Sequence, residues 1–225
     1  MLKLNLHKNY ISNSRSFSVS CEGTIEKGKS TGIYGKSGIG KTSVLRMIAG
    51  LENPDKGYIT SDNMIWFDKR SNTNLLPSQR KIGFVFQDFN LFPNMTVLDN
   101  LKYASNGSIP DLVSNFIKSS ELQTLLSSLP DHLSGGEKQR FSALRALSQS
   151  PELLLLDEPF SALDDDSILT MIDVINQAKI QMGITVIVVS HRKDILLKMT
   201  DSVIHMKSQT ECVQDLPSNI LEKSF

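Results

Sequence analysis

The segment Gly35–Thr42, G-K-S-G-I-G-K-T, constrains this chain more than any other stretch. It matches the pattern G-x-x-x-x-G-K-[ST] at every specified position, between a short apolar run at Thr31–Tyr34 and a helical pattern over Lys41–Ala49. A strand, a glycine loop and a helix in that order turn consecutive backbone N–H groups toward one point, where the helix N-terminus adds partial positive charge. That is a cradle for the phosphates of a nucleotide. Its candidate lining is Gly35, Lys36, Ser37, Gly38, Ile39, Gly40, Lys41, Thr42 and Ser43, with Lys41 reaching the β- and γ-phosphates and the Thr42 hydroxyl ligating Mg²⁺.

The rest of the chain reads as an α/β protein. Alternation marks strands at Leu2–Leu6 and Phe17–Val19, and after the turn residues Asn53–Gly57 two further strand-like pieces follow at Tyr58–Thr60 and Met64–Phe67, which together predict an antiparallel lobe. Ile82–Phe86 is an apolar strand, and from Thr96 to Ser128 helical segments broken by Asn, Ser and Pro predict a separate helical lobe. A helix over Gly135–Ser148 leads into Leu153–Leu156, a continuous apolar run that fits a parallel strand covered on both faces. Ile168, Met171, Ile172, Ile175 and Ala178 are spaced as one helix face, and Ile184–Val189 is another buried strand. Strand and helix alternate, as in a doubly wound sheet.

Bulk properties exclude several classes. Twenty-four basic residues balance 24 acidic ones, so no net field gathers polyanions, and nucleic acid is not an expected partner. The longest apolar runs cannot span a bilayer, and the opening lacks an apolar signal region, so the chain is expected in the cytosol. Cys21 and Cys212 are far apart in the sequence and have no metal-ligand spacing, which predicts reduced, non-ligating thiols.

Asp157 and Glu158 stand at the end of the run L-L-L-L-D-E-P-F, where a parallel sheet opens its ligand crevice. Two carboxylates beside a phosphate loop fit metal and base chemistry: Asp157 for Mg²⁺, Glu158 to orient and deprotonate an attacking water. A kinase, a GTPase or a RecA-like ATPase could carry the same pair. Leu133–Arg140, L-S-G-G-E-K-Q-R, discriminates among them. Locally it is a helix start in which Ser134 and Glu137 make a capping box and the paired glycines leave N–H groups open to an anion.

That segment closely resembles the signature sequence of ABC transporter ATPases. Four further segments resemble family elements in their expected order: Gln87 after the strand at Ile82–Phe86, the acidic pair, Ser161-Ala162-Leu163-Asp164, and His191 after the strand at Ile184–Val189. The resemblance implies a P-loop NTPase fold with a RecA-like core, an antiparallel β lobe and a helical subdomain. It implies a single nucleotide-binding domain over 1–225, with the core and antiparallel lobe in 1–86 and 150–206, the helical signature subdomain in 88–149, a tail in 207–225 and no regulatory domain.

The same resemblance implies ATP and Mg²⁺ as cofactors. Gln87 would sense Mg²⁺ and the attacking water and link to a membrane partner, and His191 would contact the γ-phosphate. Ser134, Gly135, Gly136 and Asp164 would serve a second copy of the chain across a head-to-tail homodimer. Tyr10 is the nearest aromatic residue for stacking on adenine, or else a structural tyrosine at a strand end. Ile39 is bulky for its position in the loop, and Arg192 follows the histidine where Asp is frequent.

Further partners implied are integral membrane permease subunits and, indirectly, a solute-binding protein, with the chain at the cytoplasmic face of the membrane. The segment Leu76–Gln87, then Leu91-Phe92-Pro93 and Thr96-Val97, is similar to importer ATPases, above all those for molybdate and related oxyanions. ATPases of amino-acid or lipoprotein-release systems, and non-transport ABC ATPases, remain alternatives.

Overall fold

The computed structural model describes residues 1–11 and 16–222, so residues 12–15 of the opening segment and 223–225 of the expected tail lie outside the described residues. The strands, in chain order, are β1 (Leu2–Ile11), β2 (Ser16–Ile25), β3 (Ser30–Gly35), β4 (Lys56–Ser61), β5 (Met64–Asp68), β6 (Thr73–Asn74), β7 (Ile82–Val85), β8 (Leu153–Asp157), β9 (Thr185–Val189), β10 (Ser202–Met206) and β11 (Cys212–Asp215). The helices are α1 (Lys41–Ala49), α2 (Val97–Ala104), α3 (Asp111–Lys118), α4 (Gly135–Ser148), α5 (Asp165–Met182), α6 (Lys193–Met199) and α7 (Pro217–Leu221).

Two sheets result. An antiparallel sheet runs β2-β1-β4-β5-β6, and a second sheet runs β11-β10-β3-β9-β8-β7, parallel except where β11 joins β10. In β1 the leucines at 2, 4 and 6 are buried while Lys3 and Asn5 are exposed, the period-two pattern of a half-covered sheet. Strands β8 and β9 are instead buried at every residue.

Alternation continues inside that buried run. Leu153 and Leu155 of β8 enter an apolar layer with α1 and the antiparallel sheet, while Leu154 and Leu156 enter a second layer with α4, α5 and the helical segments. Four consecutive leucines thus serve two cores, which is why the sequence shows a continuous run. The helical lobe holds α2, α3 and single turns of tighter helix at Glu121–Leu125 and Pro130–His132.

The antiparallel lobe is tied to α1 by one buried cation. Arg80 donates from Nη1 to the carbonyls of Met47 (3.1 Å) and Ile48 (2.7 Å) at the end of α1, and from Nη2 to Leu75 O (2.9 Å) and Asn74 Oδ1 (3.1 Å). Burial pulls its pKa down to about 10, yet the ring of carbonyl oxygens holds the charge at the negative end of the helix dipole. Gly50, which ends α1 at φ 75°, lies so close that a Cβ there would sit 2.7 Å from the guanidinium carbon.

Candidate functional site

The strand order places the carboxyl ends of β3, β9, β8 and β7 side by side, with Ile33 opposite Val189, Val189 opposite Asp157, and Leu156 opposite Val85. Each of those ends releases one of the motifs read from the sequence. A cavity of about 490 Å³ opens there, lined by Ser37, Gly38 and Gly40 of the loop after β3, by Lys41, Thr42 and Ser43 at the start of α1, by Asp157 at the end of β8 with Glu158 and Ser161 beyond it, by His191 after β9, and by Gln87 after β7. Phe17 of β2 closes one side.

The loop is shaped by its glycines and its lysine. Gly38 and Gly40 have φ of 74° and 110°, left-handed conformations that strain a side-chain-bearing residue, and a Cβ at Gly40 would lie 2.5 Å from a methyl of Val19. Lys41 is buried and donates from Nζ to the carbonyls of Gly35 (2.9 Å) and Lys36 (3.0 Å), folding the loop around its own ammonium. Burial lowers its pKa, and the charges of Glu158 and Asp157 oppose that shift. Ile39 points away from the cavity into the apolar layer under the loop, which accounts for its bulk.

Asp157 is buried at 2% exposure, and its Oδ1 has no hydrogen-bond partner. Burial raises its pKa, while a hydrogen bond from the Thr42 hydroxyl works in the opposite direction. A buried carboxylate oxygen left open beside a hydroxyl and the Gln87 amide fits a hard divalent cation such as Mg²⁺, which takes few protein ligands alongside phosphate oxygens. Among the described residues no group of three His, Cys, Asp or Glu side chains gathers anywhere, so a cage made only of such ligands is absent there.

Glu158 has φ 49°, a strained conformation for a residue with a side chain, and its N–H donates to Val189 O at 3.0 Å. Its Oε2 lies 3.0 Å from His191 Nδ1, joining the ends of β8 and β9 across the cavity. Arg192 turns away to pair with Asp194 (2.7 Å) and Asp165 (3.1 Å), leaving the histidine ring to Glu158. The carboxylates of these two ion pairs raise the pKa of the Arg192 guanidinium still further.

Other expected residues lie outside the cavity. Ser134 is the exposed N-cap of α4: its N–H donates to Glu137 Oε2 at 2.7 Å and its Oγ accepts from Glu137 N at 3.3 Å, so the capping box forms. Gly135 is exposed beside it, and Gly136 packs on Ala162 O. Asp164 caps α5 by accepting from Ser167 N at 2.8 Å. Tyr10 stacks on Phe17 with ring centroids 4.6 Å apart, and burial pushes its hydroxyl pKa up to about 12. Phe17, not Tyr10, presents its ring to the cavity.

The sequence reading assigns no site role to Phe17 or Gln139, and it names Ser161 only as part of the segment Ser161-Ala162-Leu163-Asp164. Gln139 is buried in α4 and donates from Nε2 to Glu158 O (3.1 Å) and Ser161 Oγ (3.2 Å), while its Oε1 accepts from Ala162 N (2.8 Å). One amide therefore stitches the signature helix to the loop that carries Glu158. A second stitch joins α4 to the segment after β7: Ser142 Oγ donates to Phe89 O at 2.7 Å and Arg145 Nη1 to Asn90 O at 2.8 Å. Phe89 and Asn90 have φ of 63° and 48°.

Known proteins resemble the chain in both sequence and fold. The family model described as ABC transporter matches residues 20–161, more than half of the chain. The molybdenum import ATP-binding protein ModC of Paramagnetospirillum magneticum is 38% identical over 180 residues, covering 78% of this chain and 50% of that protein. The ModC of Escherichia coli K12 is 38% identical over 178 residues, covering 79% and 51%. The chain thus spans about half the length of these curated relatives. Among solved structures, the dimeric post-hydrolysis state of the ATP-binding cassette MJ0796 bound to ADP and Pi superposes with a TM-score of 0.80 at 27% identity, covering 96% of this chain and 99% of that one. A further dimeric structure of MJ0796, a bacterial ABC transporter cassette, gives 0.81 at 26% identity. With the phosphate loop, the carboxylate strand end and the capped signature helix arranged on that fold, the chain belongs to the ABC transporter family.

Proposed function

We propose that this chain is the ATP-hydrolysing motor of an ABC transporter, working as a homodimer on the cytoplasmic face of the membrane under permease subunits. The observation that carries this reading is the cavity where Lys41, Asp157, Glu158, Gln87 and His191 converge while Ser134 faces solvent elsewhere on the molecule. An exposed, capped helix start with open glycine N–H groups fits the terminal phosphate of an ATP held by a second copy. Each chain then supplies two half-sites.

Within one half-site the loop N–H groups and Lys41 hold the β- and γ-phosphates. Thr42, Gln87 and Asp157 would hold Mg²⁺, which supplies charge neutralisation to the phosphate oxygens when bound. Glu158 orients a water and takes its proton as the water oxygen bonds to the γ-phosphorus; the bond to the β–γ bridging oxygen breaks, releasing ADP and phosphate. His191, in hydrogen-bond contact with Glu158, holds that carboxylate and faces the γ-phosphate. Losing the phosphate that joins two copies shifts the population toward an open pair, which the permease reads as a change of orientation.

The chain is expected to hydrolyse ATP slowly in the presence of Mg²⁺. Glu158→Gln removes the base, which lowers turnover by roughly 10²- to 10⁴-fold, and is expected to accumulate an ATP-bound dimer on size-exclusion chromatography. A variant that stays monomeric with ATP and Mg²⁺ overturns the shared-site reading. The relatives named for molybdenum import support an oxyanion, molybdate, as the cargo, captured by a solute-binding protein upstream. Cells carrying Lys41→Ala in place of the native chain are expected to lose molybdate accumulation; unchanged accumulation overturns the cargo and leaves the motor untouched.

A further inference from the structure

Cys21 and Cys212 are the two cysteines of the chain, and though remote in sequence they meet in the fold. Cys21 is buried in β2, at the rim of the antiparallel sheet, and Cys212 opens β11, at the rim of the parallel one. The seam between these strands is stitched by side chains. Gln214 takes the Thr24 N–H on Oε1 (2.9 Å) and donates from Nε2 to Thr24 O (2.7 Å). Cys212 occupies the equivalent position two residues earlier, its Sγ accepting from Glu22 N and its thiol donating to Glu22 O, both at 3.2 Å. Cys212 packs against the apolar layer that contains Cys21, and the two sulfurs interact across the seam.

The two sulfurs differ in reach and reactivity. Cys21 is 1% exposed, whereas Cys212 is half-buried and open to small solutes. Donation from Cys21 and from Glu22 N–H pulls the Cys212 thiol down to about 6, against the charges of Glu22 and Glu211. Burial and the neighbouring sulfur hold Cys21 well above the usual thiol range. A reachable thiol that ionises readily beside a protected one is the arrangement that converts peroxide into a disulfide.

We infer that Cys21 and Cys212 form a peroxide-reactive dithiol in which Cys212 is the attacking and Cys21 the resolving sulfur, closing a disulfide across the β2–β11 seam. The Cys212 thiolate bonds to one oxygen of hydrogen peroxide, the O–O bond breaks, and the departing hydroxide takes up a proton to leave as water. Cys212 is then a sulfenic acid. The Cys21 sulfur attacks it, the S–O bond breaks, and the hydroxyl leaves as water with the proton from Cys21. Two thiols and one peroxide give one disulfide and two waters; sulfur is oxidised and peroxide reduced.

The crosslink would sit behind the nucleotide cavity. Strand β2 carries Phe17, whose ring lines that cavity, and Val19, whose methyls press on Gly40. The neighbouring turn is fastened to the same strand by the Ser20 N–H to Gln209 O bond of 2.7 Å.

The test is mass spectrometry of the native full-length chain after mild peroxide treatment, run under non-reducing conditions. The expected result is loss of two hydrogen atoms from the intact mass, a linked peptide pair containing Cys21 and Cys212, and reversal by dithiothreitol. Cys212→Ser, at a half-buried site, is expected to fold as the native chain does and to abolish the reaction. Cys21→Ser is expected to halt at a sulfenic acid that dimedone traps. Oxidation of Cys212 to sulfinic acid in the native chain without a crosslink, or an unmodified pair at peroxide levels that oxidise a low-pKa thiol, overturns the inference.

Discussion

At the scale of single residues the aromatic pair beside the cavity is where the base end of a nucleotide is expected to stack. Phe17 faces the cavity and Tyr10 stands behind it, a stacked pair 4.6 Å apart with planes 12° from parallel. The half-buried Tyr10 ring, stacked on Phe17, fixes the tilt of the Phe17 ring. Phe17→Ala is expected to weaken ATP binding by about 1 to 3 kcal/mol, the range for stacking a base on an aromatic ring. A titration with ATP and with inorganic triphosphate checks this: only the nucleotide should lose affinity, and an equal loss for both would show that Phe17 acts by shaping the phosphate loop through β2.

At the scale of elements, Arg80 shows how the antiparallel lobe registers the phosphate helix. Its guanidinium binds the last carbonyls of α1 and the main chain at Leu75, so the helix whose first residue is Lys41 is clamped at its far end. Arg80→Met keeps much of the volume but removes the guanidinium donors from the Ile48 and Leu75 carbonyls, and the expected loss is roughly 2 to 3 kcal/mol of unfolding free energy. Urea denaturation measures it; an unchanged midpoint would mean that water replaces the guanidinium without cost. The motif-bearing elements were legible in the sequence because chemistry restricts their letters: glycines where φ is positive, acids where Leu153–Leu156 runs out, Ser134 and Glu137 at a helix start. Strands β6, β10 and β11 were not, since they are short and owe their state to a neighbouring strand. Gln139 carried a faint signal: it lies three and four residues before the buried Ser142 and Ala143, a polar side chain on the apolar stripe of α4. The facing of Phe17 carried none, because which ring of a cross-strand pair meets a cavity depends on the fold around it.

At the scale of the molecule the proposed site is shared between copies, and this can be tested by mixing. Lys41→Ala spoils a phosphate loop and Ser134→Arg spoils a signature helix, so each variant alone is expected to be inactive. A mixed pair contains one intact site, built from the sound loop of one copy and the sound serine of the other, and the mixture is expected to recover measurable phosphate release. Were each chain to use its own signature, mixing would restore nothing. For such a pair to close and open, the helical lobe would have to tilt against the sheet, and the chain passes between them at two joints, after β7 and before β8. Phe89 and Asn90 stand at the first joint and Ser150 at the second, all in left-handed backbone conformations, and α4 holds the first through Ser142 and Arg145 and the second through the Leu147 carbonyl, which accepts from Ser150 N at 2.9 Å. Backbone strain stored at both joints lowers the added cost of turning them, and because one helix grips both, they are expected to turn together.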